Sequence, residues 1–194
     1  MRYKRDKAFI DVSNTRHRKG VTMSRQNRRL TSKLIAFTAV MCAVANVLGL
    51  FFSIPIGLTK IHLMQLPIVL SGLALGPWIG GLVGLIGATT MAFNLPAPNL
   101  YILPGNAILG FFTGLFYLRL KKMKGRPIIP QMISVLGAYI VQFPYVYVTD
   151  VYLMPLTAGY VLTVILPKLL LEDMVSALLA HFILFRVKIA EILR

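Results

Sequence analysis

Acidic residues are scarce in this chain, with 6 Asp and Glu against 21 Lys and Arg in 194 residues. Charge of either sign is thin at 14%, where a soluble domain carries about 25%. There is a single cysteine, Cys42, so the chain forms no internal disulfide and no cysteine-rich metal site. Cys42 lies inside an apolar run and reads as a small buried side chain. Three histidines are scattered, and no helical His-Glu-x-x-His occurs, which leaves no metal centre to expect. A glycine loop ending in Lys-Ser or Lys-Thr is also missing, so the chain brings no nucleotide-hydrolysing site of its own. An enzyme is therefore not expected, and neither is a cofactor. Any uphill transport through this chain needs a coupled ion or a partner ATPase.

Apolar residues, by contrast, make up 57% of the chain, and the mean hydropathy is +0.73. These values define an integral membrane protein. The net charge of +15 first suggests nucleic acid, but its distribution argues against that partner. Eleven of the 21 basic residues lie in the first 33, five between Arg119 and Arg126, and three from Arg186 onward. Clusters flanking apolar runs are the pattern of cytoplasmic loops. Residues 1–32 read as a basic cytoplasmic tail without the apolar core of a signal peptide, placed to meet anionic membrane lipid. Residues 189–194 read as a cytoplasmic C-terminal end.

Between them, residues 33–188 read as an all-α integral membrane domain, a compact bundle of six transmembrane helices. The apolar runs are 33–52, 63–75, 78–93, 101–118, 128–148 and 158–185. A full span needs about 20 residues, so the second is expected to be short or tilted. Parity requires that it cross. With the N-terminus inside, six passes return the chain to the cytoplasm at "RLKKMKGR" (119–126) and again at "RVKIAEILR" (186–194). Residues 53–62, 94–100 and 149–157 are then external loops. The membrane in question is the plasma membrane, with both termini cytoplasmic.

Small residues recur at helical spacing: Ala39 and Ala43, then Gly76, Gly80 and Gly84, then Gly110 and Gly114. Such stripes let helices approach closely, either within the bundle or against another membrane subunit. The sixth run carries Lys168, Glu172, Asp173 and His181, which are costly in lipid. Lys168 and Glu172, one turn apart, are placed to pair with each other or to meet a ligand. Pro167 frees a carbonyl near Thr163, and polar groups beside a helix break mark ligand or ion paths. Asn106 lies inside the fourth run, where its amide must find a partner in the bundle or in a ligand.

Four segments carry a family resemblance: "AVMCAVANV" (39–47), "KIHLMQLPIVLSGLALGPWIGGLVGLIG" (60–87), "ILPGNAILG" (102–110) and "TVILPKLLLEDMVSALL" (163–179). In order, over roughly residues 33–188, they resemble the substrate-binding S components of energy-coupling factor (ECF) vitamin transporters, most nearly the riboflavin-binding members. The sixth helix departs from that pattern, with Lys-Leu-Leu-Leu-Glu after Pro167 where an Asn is expected. The resemblance implies a vitamin-like substrate captured near the external face under the 53–62 and 94–100 loops. It implies a transmembrane coupling subunit and two cytoplasmic ATPases as partners, which topple the S component to release ligand inside. Ala39 and Ala43 take the docking role, and Asn106 and Lys168 take ligand-contact roles. Outer position and side-chain chemistry add Asn94, Asn99, Tyr101, Gln142, Tyr145 and Glu172 to the expected substrate site. Two other readings stand beside this one: a self-sufficient proton-coupled carrier using Glu172, Asp173 or His181, and a membrane protein whose small-residue faces serve assembly alone.

Overall fold

The structure, a computed structural model, describes residues 32–56, 59–94, 98–123 and 126–187. Apart from Ser32, the two expected terminal segments lie outside these residues. The chain divides into a unit of Met1–Phe37 with Leu193–Arg194, of which the described part is helical, and a larger unit, Thr38–Ile192, whose described residues form the helical bundle.

Among the described residues, helical structure stands at each of the six apolar runs. The first helix, α1, is Ser32–Phe51. Next come α2 (Gln65–Leu75) and α3 (Pro77–Gly87), the latter followed by the short α4 (Thr89–Phe93). Then follow α5 (Ile102–Leu120) and α6 (Ile128–Val148), which runs on through a π turn at Thr149–Leu153. The last pass begins as α7 (Ala158–Tyr160), loosens into a π turn at Val161–Ile165, and continues as α8 (Leu166–Val187). Among the described residues, three helices are long and apolar enough to cross a membrane by length and composition: Ser32–Phe51, Ile102–Leu120 and Ile128–Leu153.

Helix α2 is the expected short pass. Its 11 residues reach about 16 Å at 1.5 Å per residue, about half of a bilayer core. It survives because it is central: Gln65, Pro67 to Leu70, Ser71, Gly72 and Leu73 are all buried. Its neighbours, rather than lipid, surround its ends. Gly76 closes it at φ 96°, a conformation that favours glycine, and Pro77 opens α3 at a position where no N–H is needed.

The glycine stripes pack inside the bundle. A side chain on Gly84 would overlap the Asn106 carbonyl, one on Gly110 would overlap the Gly80 carbonyl, and one on Gly114 would strike Pro77. Helices α2, α3 and α5 therefore meet backbone to backbone. This contact fixes where the first turns of α5 stand.

The third run, expected to be continuous, breaks at Ala88. Asn46 of α1 accounts for the break. Its Nδ2 donates to the carbonyls of Cys42 (2.9 Å) and Ile86 (3.1 Å), and its Oδ1 accepts from the Thr90 N–H (2.8 Å). The Thr90 hydroxyl returns a bond to the Asn46 carbonyl at 3.1 Å. One amide thus serves backbone groups on both sides of the interruption. Around it Cys42, Ala45, Met64, Ile68, Val83 and Ala88 form a buried apolar cluster.

Residues 53–62, expected as a loop, contain an antiparallel hairpin. Strand β1 (Ser53–Ile56) pairs with β2 (Thr59–His62), with Ser53 opposite His62 and Ile54 opposite Ile61. The β-branched residues Ile54, Ile56, Thr59 and Ile61 favour this geometry, and Pro55 is tolerated because a two-stranded ribbon is all edge. The external segment expected over 149–157 is also shorter than the sequence suggests, because helical turns continue to Leu153.

On α8 the polar residues face inward. Glu172, Asp173, Ser176, Ala177 and Ala180 are buried, while Leu171, Val175, Leu178, Phe182 and Phe185 form the exposed face. A helix with this division presents acyl-chain-compatible surface outward and reserves its charges for the interior.

Candidate substrate-binding site

A cavity of about 440 Å³ lies at one end of the bundle. It is bounded by the end of β2, the start of α2, the start of α5, the end of α6 with its π turn, and the start of the last pass. Its walls are mixed. Met64, Met91, Met154, Leu156, Ile165 and Leu169 supply apolar surface, while Tyr101, Tyr145 and Tyr160 supply aromatic rings with polar tips.

Of the eight residues expected at a substrate site, Asn99, Tyr101, Asn106, Gln142, Tyr145, Lys168 and Glu172 all line this one cavity. Asn94 does not. It is exposed at the end of α4, where its N–H bonds the Thr90 carbonyl. A polar residue ending a helix is satisfied by that position alone.

The start of α5 is built for this wall. Asn99 is buried, and its Oδ1 accepts from the Tyr101 N–H at 3.0 Å, closing a turn that launches the helix. Pro104 falls in the first turn, where its missing N–H costs nothing. Asn106 then faces inward, with Nδ2 bonded to the Ile102 carbonyl at 2.9 Å. Two residues of α6 bind this turn from across the cavity: Gln142 Nε2 donates to the Gly105 carbonyl (3.0 Å) and the Tyr145 hydroxyl to the Tyr101 carbonyl (3.0 Å). Gly105 leaves room for the Tyr145 ring, which a Cβ would meet at 3.3 Å.

Glu172 is the centre of the opposite wall. It is 1% exposed. Its Oε1 accepts the His62 backbone N–H at 2.7 Å, and its Oε2 accepts Gln65 Nε2 at 3.0 Å. Lys168 Nζ lies 3.5 Å from Oε1, one turn up the same helix. His62 Nδ1 is 3.0 Å from that oxygen but out of line for a hydrogen bond, so the backbone N–H is the aligned donor. One carboxylate thus joins the hairpin, α2 and α8.

His62 and Gln65 were not singled out from the sequence. Gln65 carried a signal, as the one amide in the apolar run "LMQLPIVLSGLAL". His62 gave none, because its main contribution is a main-chain N–H. Lower in the bundle, His181 Nδ1 lies 2.8 Å from Gln131 Oε1, and Asp173 is buried without a hydrogen-bonding partner among the described residues. Neither residue lines the cavity.

The bundle is apolar on its outer surface and holds a mixed polar and aromatic cavity at one end. The family model described as the ECF-type riboflavin transporter, S component, matches residues 29–189, and the chain belongs to that family. It is accordingly a substrate-binding subunit of an ECF transporter, and not an enzyme. Two solved structures share the fold. One, described as the S component of a bacterial ECF transporter, is 20% identical with a TM-score of 0.55, the match covering 84% of this chain and 99% of that one. The other, the S component for biotin from an ECF-type ABC transporter, is 21% identical with a TM-score of 0.61, covering 81% of this chain and 92% of that one. No curated protein matches the sequence significantly.

Proposed function

We propose that this chain captures riboflavin from outside the cell, holds it in the cavity beneath the hairpin, and delivers it inward when a coupling subunit and two ATPases act on it. The observation that carries the reading is the convergence of seven polar residues from the turn before α5, α5 itself, α6 and α8 on one cavity in a chain otherwise built for lipid. Aromatic and methionine surfaces suit a flat heteroaromatic ring system, and the amides suit its polar edge and polyol chain. The family description supports riboflavin over other vitamins. Both termini are cytoplasmic in this reading, which places the cavity at the external face.

Docking on the coupling subunit falls to α1. Ala39, Val40, Ala43, Val44 and Val47 are exposed on one side, while Cys42, Ala45 and Gly49 are buried on the other. The exposed side is smooth enough for a second helix to approach closely.

Native mass spectrometry of the gently purified protein tests the substrate. A mass increment equal to riboflavin, with yellow colour, is expected. A different bound vitamin would replace riboflavin in the reading, and uptake by the lone protein in liposomes under a pH gradient would replace it with a proton-coupled carrier.

A further inference from the structure

Four amide side chains line the cavity. Asn99 accepts the Tyr101 N–H through its oxygen, and the other three are all turned the other way, donating to the protein through nitrogen. Gln65, Asn106 and Gln142 are 2%, 6% and 4% exposed. Gln65 Nε2 donates to the Glu172 carboxylate at 3.0 Å, Asn106 Nδ2 to the Ile102 carbonyl at 2.9 Å, and Gln142 Nε2 to the Gly105 carbonyl at 3.0 Å. Every one of these partners is an acceptor only. Flipping any of the amides would set oxygen against oxygen, so the local bonds fix all three orientations. What remains is Gln65 Oε1, Asn106 Oδ1 and Gln142 Oε1, three acceptors buried without a partner among the described residues. Buried carbonyl oxygens are normally satisfied, and three unsatisfied ones around a single cavity ask for donors from outside the chain.

We propose that Gln65, Asn106 and Gln142 form an acceptor set that selects ligands by their N–H and O–H groups, with Glu172 as the positioning residue that holds Gln65 in its acceptor orientation. This rests on the reading of the cavity as the substrate site. It adds that the polar half of the ligand is read by its donors. At these three positions a ligand edge that offers only acceptors is left unmatched, because the oxygens there cannot turn.

The test compares riboflavin with two derivatives lacking donors: the N3-methyl compound, without the ring imide N–H, and the ribityl tetraacetate, without the side-chain hydroxyls. Biotin, with two ureido N–H groups, and its N-methylated form are run alongside. Affinities are measured on the full chain. Blocking the donors is expected to weaken binding about 10- to 100-fold for at least one derivative, the scale of a buried acceptor left unpaired. In Gln142→Met or in Gln65→Met that penalty is expected to shrink to less than about threefold, as the oxygen being read is gone. Derivatives that bind the wild-type protein within threefold of their parents overturn the acceptor set. If riboflavin fails but biotin binds and N-methylation abolishes it, the riboflavin reading falls and the acceptor set stands. If none of the five compounds binds, both fall.

Discussion

Gly84→Ala joins the packing of the bundle to the site in one methyl group. Helices α3 and α5 touch through backbone at this point, and the added Cβ would overlap the Asn106 carbonyl and come within 2.9 Å of the Ala107 nitrogen. Backbone cannot rotate away as a side chain can, so α5 must move. Overpacking of this kind costs about 1–3 kcal/mol, and the better helix propensity of alanine offsets under about 1 kcal/mol of it. For a domain of this size each kcal/mol moves the melting temperature by about 2–4 °C. The first turns of α5 carry Asn106 and accept the bonds from Gln142 and Tyr145, so the same shift also reaches the cavity wall. Thermal unfolding of the purified protein and ligand titration are the assays. Gly81→Ala is the internal control, since its Cβ would come no nearer than 3.3 Å to Phe111 Cβ and 3.5 Å to the Ala107 carbonyl. Gly159→Ala is a second control, with nothing within 4 Å. Gly84→Ala is expected to melt several degrees lower and bind more weakly, with both controls near wild type. Equal melting and equal binding across the three variants would refute the claim that backbone contact between α3 and α5 positions the site.

Glu172→Ala removes the shared acceptor of the His62 N–H and Gln65 and strands Lys168, so a loss of about 3–5 kcal/mol is expected in thermal unfolding. Glu172→Gln, which keeps one acceptor oxygen, should lose less. Asn46→Leu leaves the Thr90 N–H and the Ile86 carbonyl without the amide that serves them, and should destabilise the bundle by about 1–3 kcal/mol without abolishing ligand binding. Ala39→Trp combined with Ala43→Trp should leave ligand affinity unchanged and abolish co-purification with the coupling subunit and ATPases. Normal assembly of that double variant would remove α1 as the docking face.

The number of passes, the shortness of α2 and seven of the polar residues lining the cavity were legible because lipid makes polarity conspicuous. Lys168, Glu172, Asn106 and Gln142 stand out in apolar runs, since each needs a partner that lipid cannot supply. What stayed hidden is what depends on main-chain groups or on the opposing element. The His62 N–H that binds Glu172 has no signature in residue type. The hairpin at Ser53–Ile56 and Thr59–His62 is too short, and too interrupted by Pro55, for its alternation to show. The break at Ala88 depends on Asn46, which is more than forty residues earlier in the chain. The glycine stripes allowed either internal packing or an external face, and only the neighbouring backbones decide for the interior. Asn94 has the outer position and amide chemistry of a site residue, but it ends α4 and does not line the cavity.

The central claim is that the cavity lined by Asn106 is where a vitamin is held. Quenching of riboflavin fluorescence by the purified protein measures this directly, with wild type and Asn106→Ala titrated side by side. The account predicts saturable one-to-one quenching by wild type and at least a tenfold weaker curve for Asn106→Ala, with both proteins still co-purifying with the coupling subunit. Absence of quenching by wild type, or identical curves for the two proteins, would contradict it.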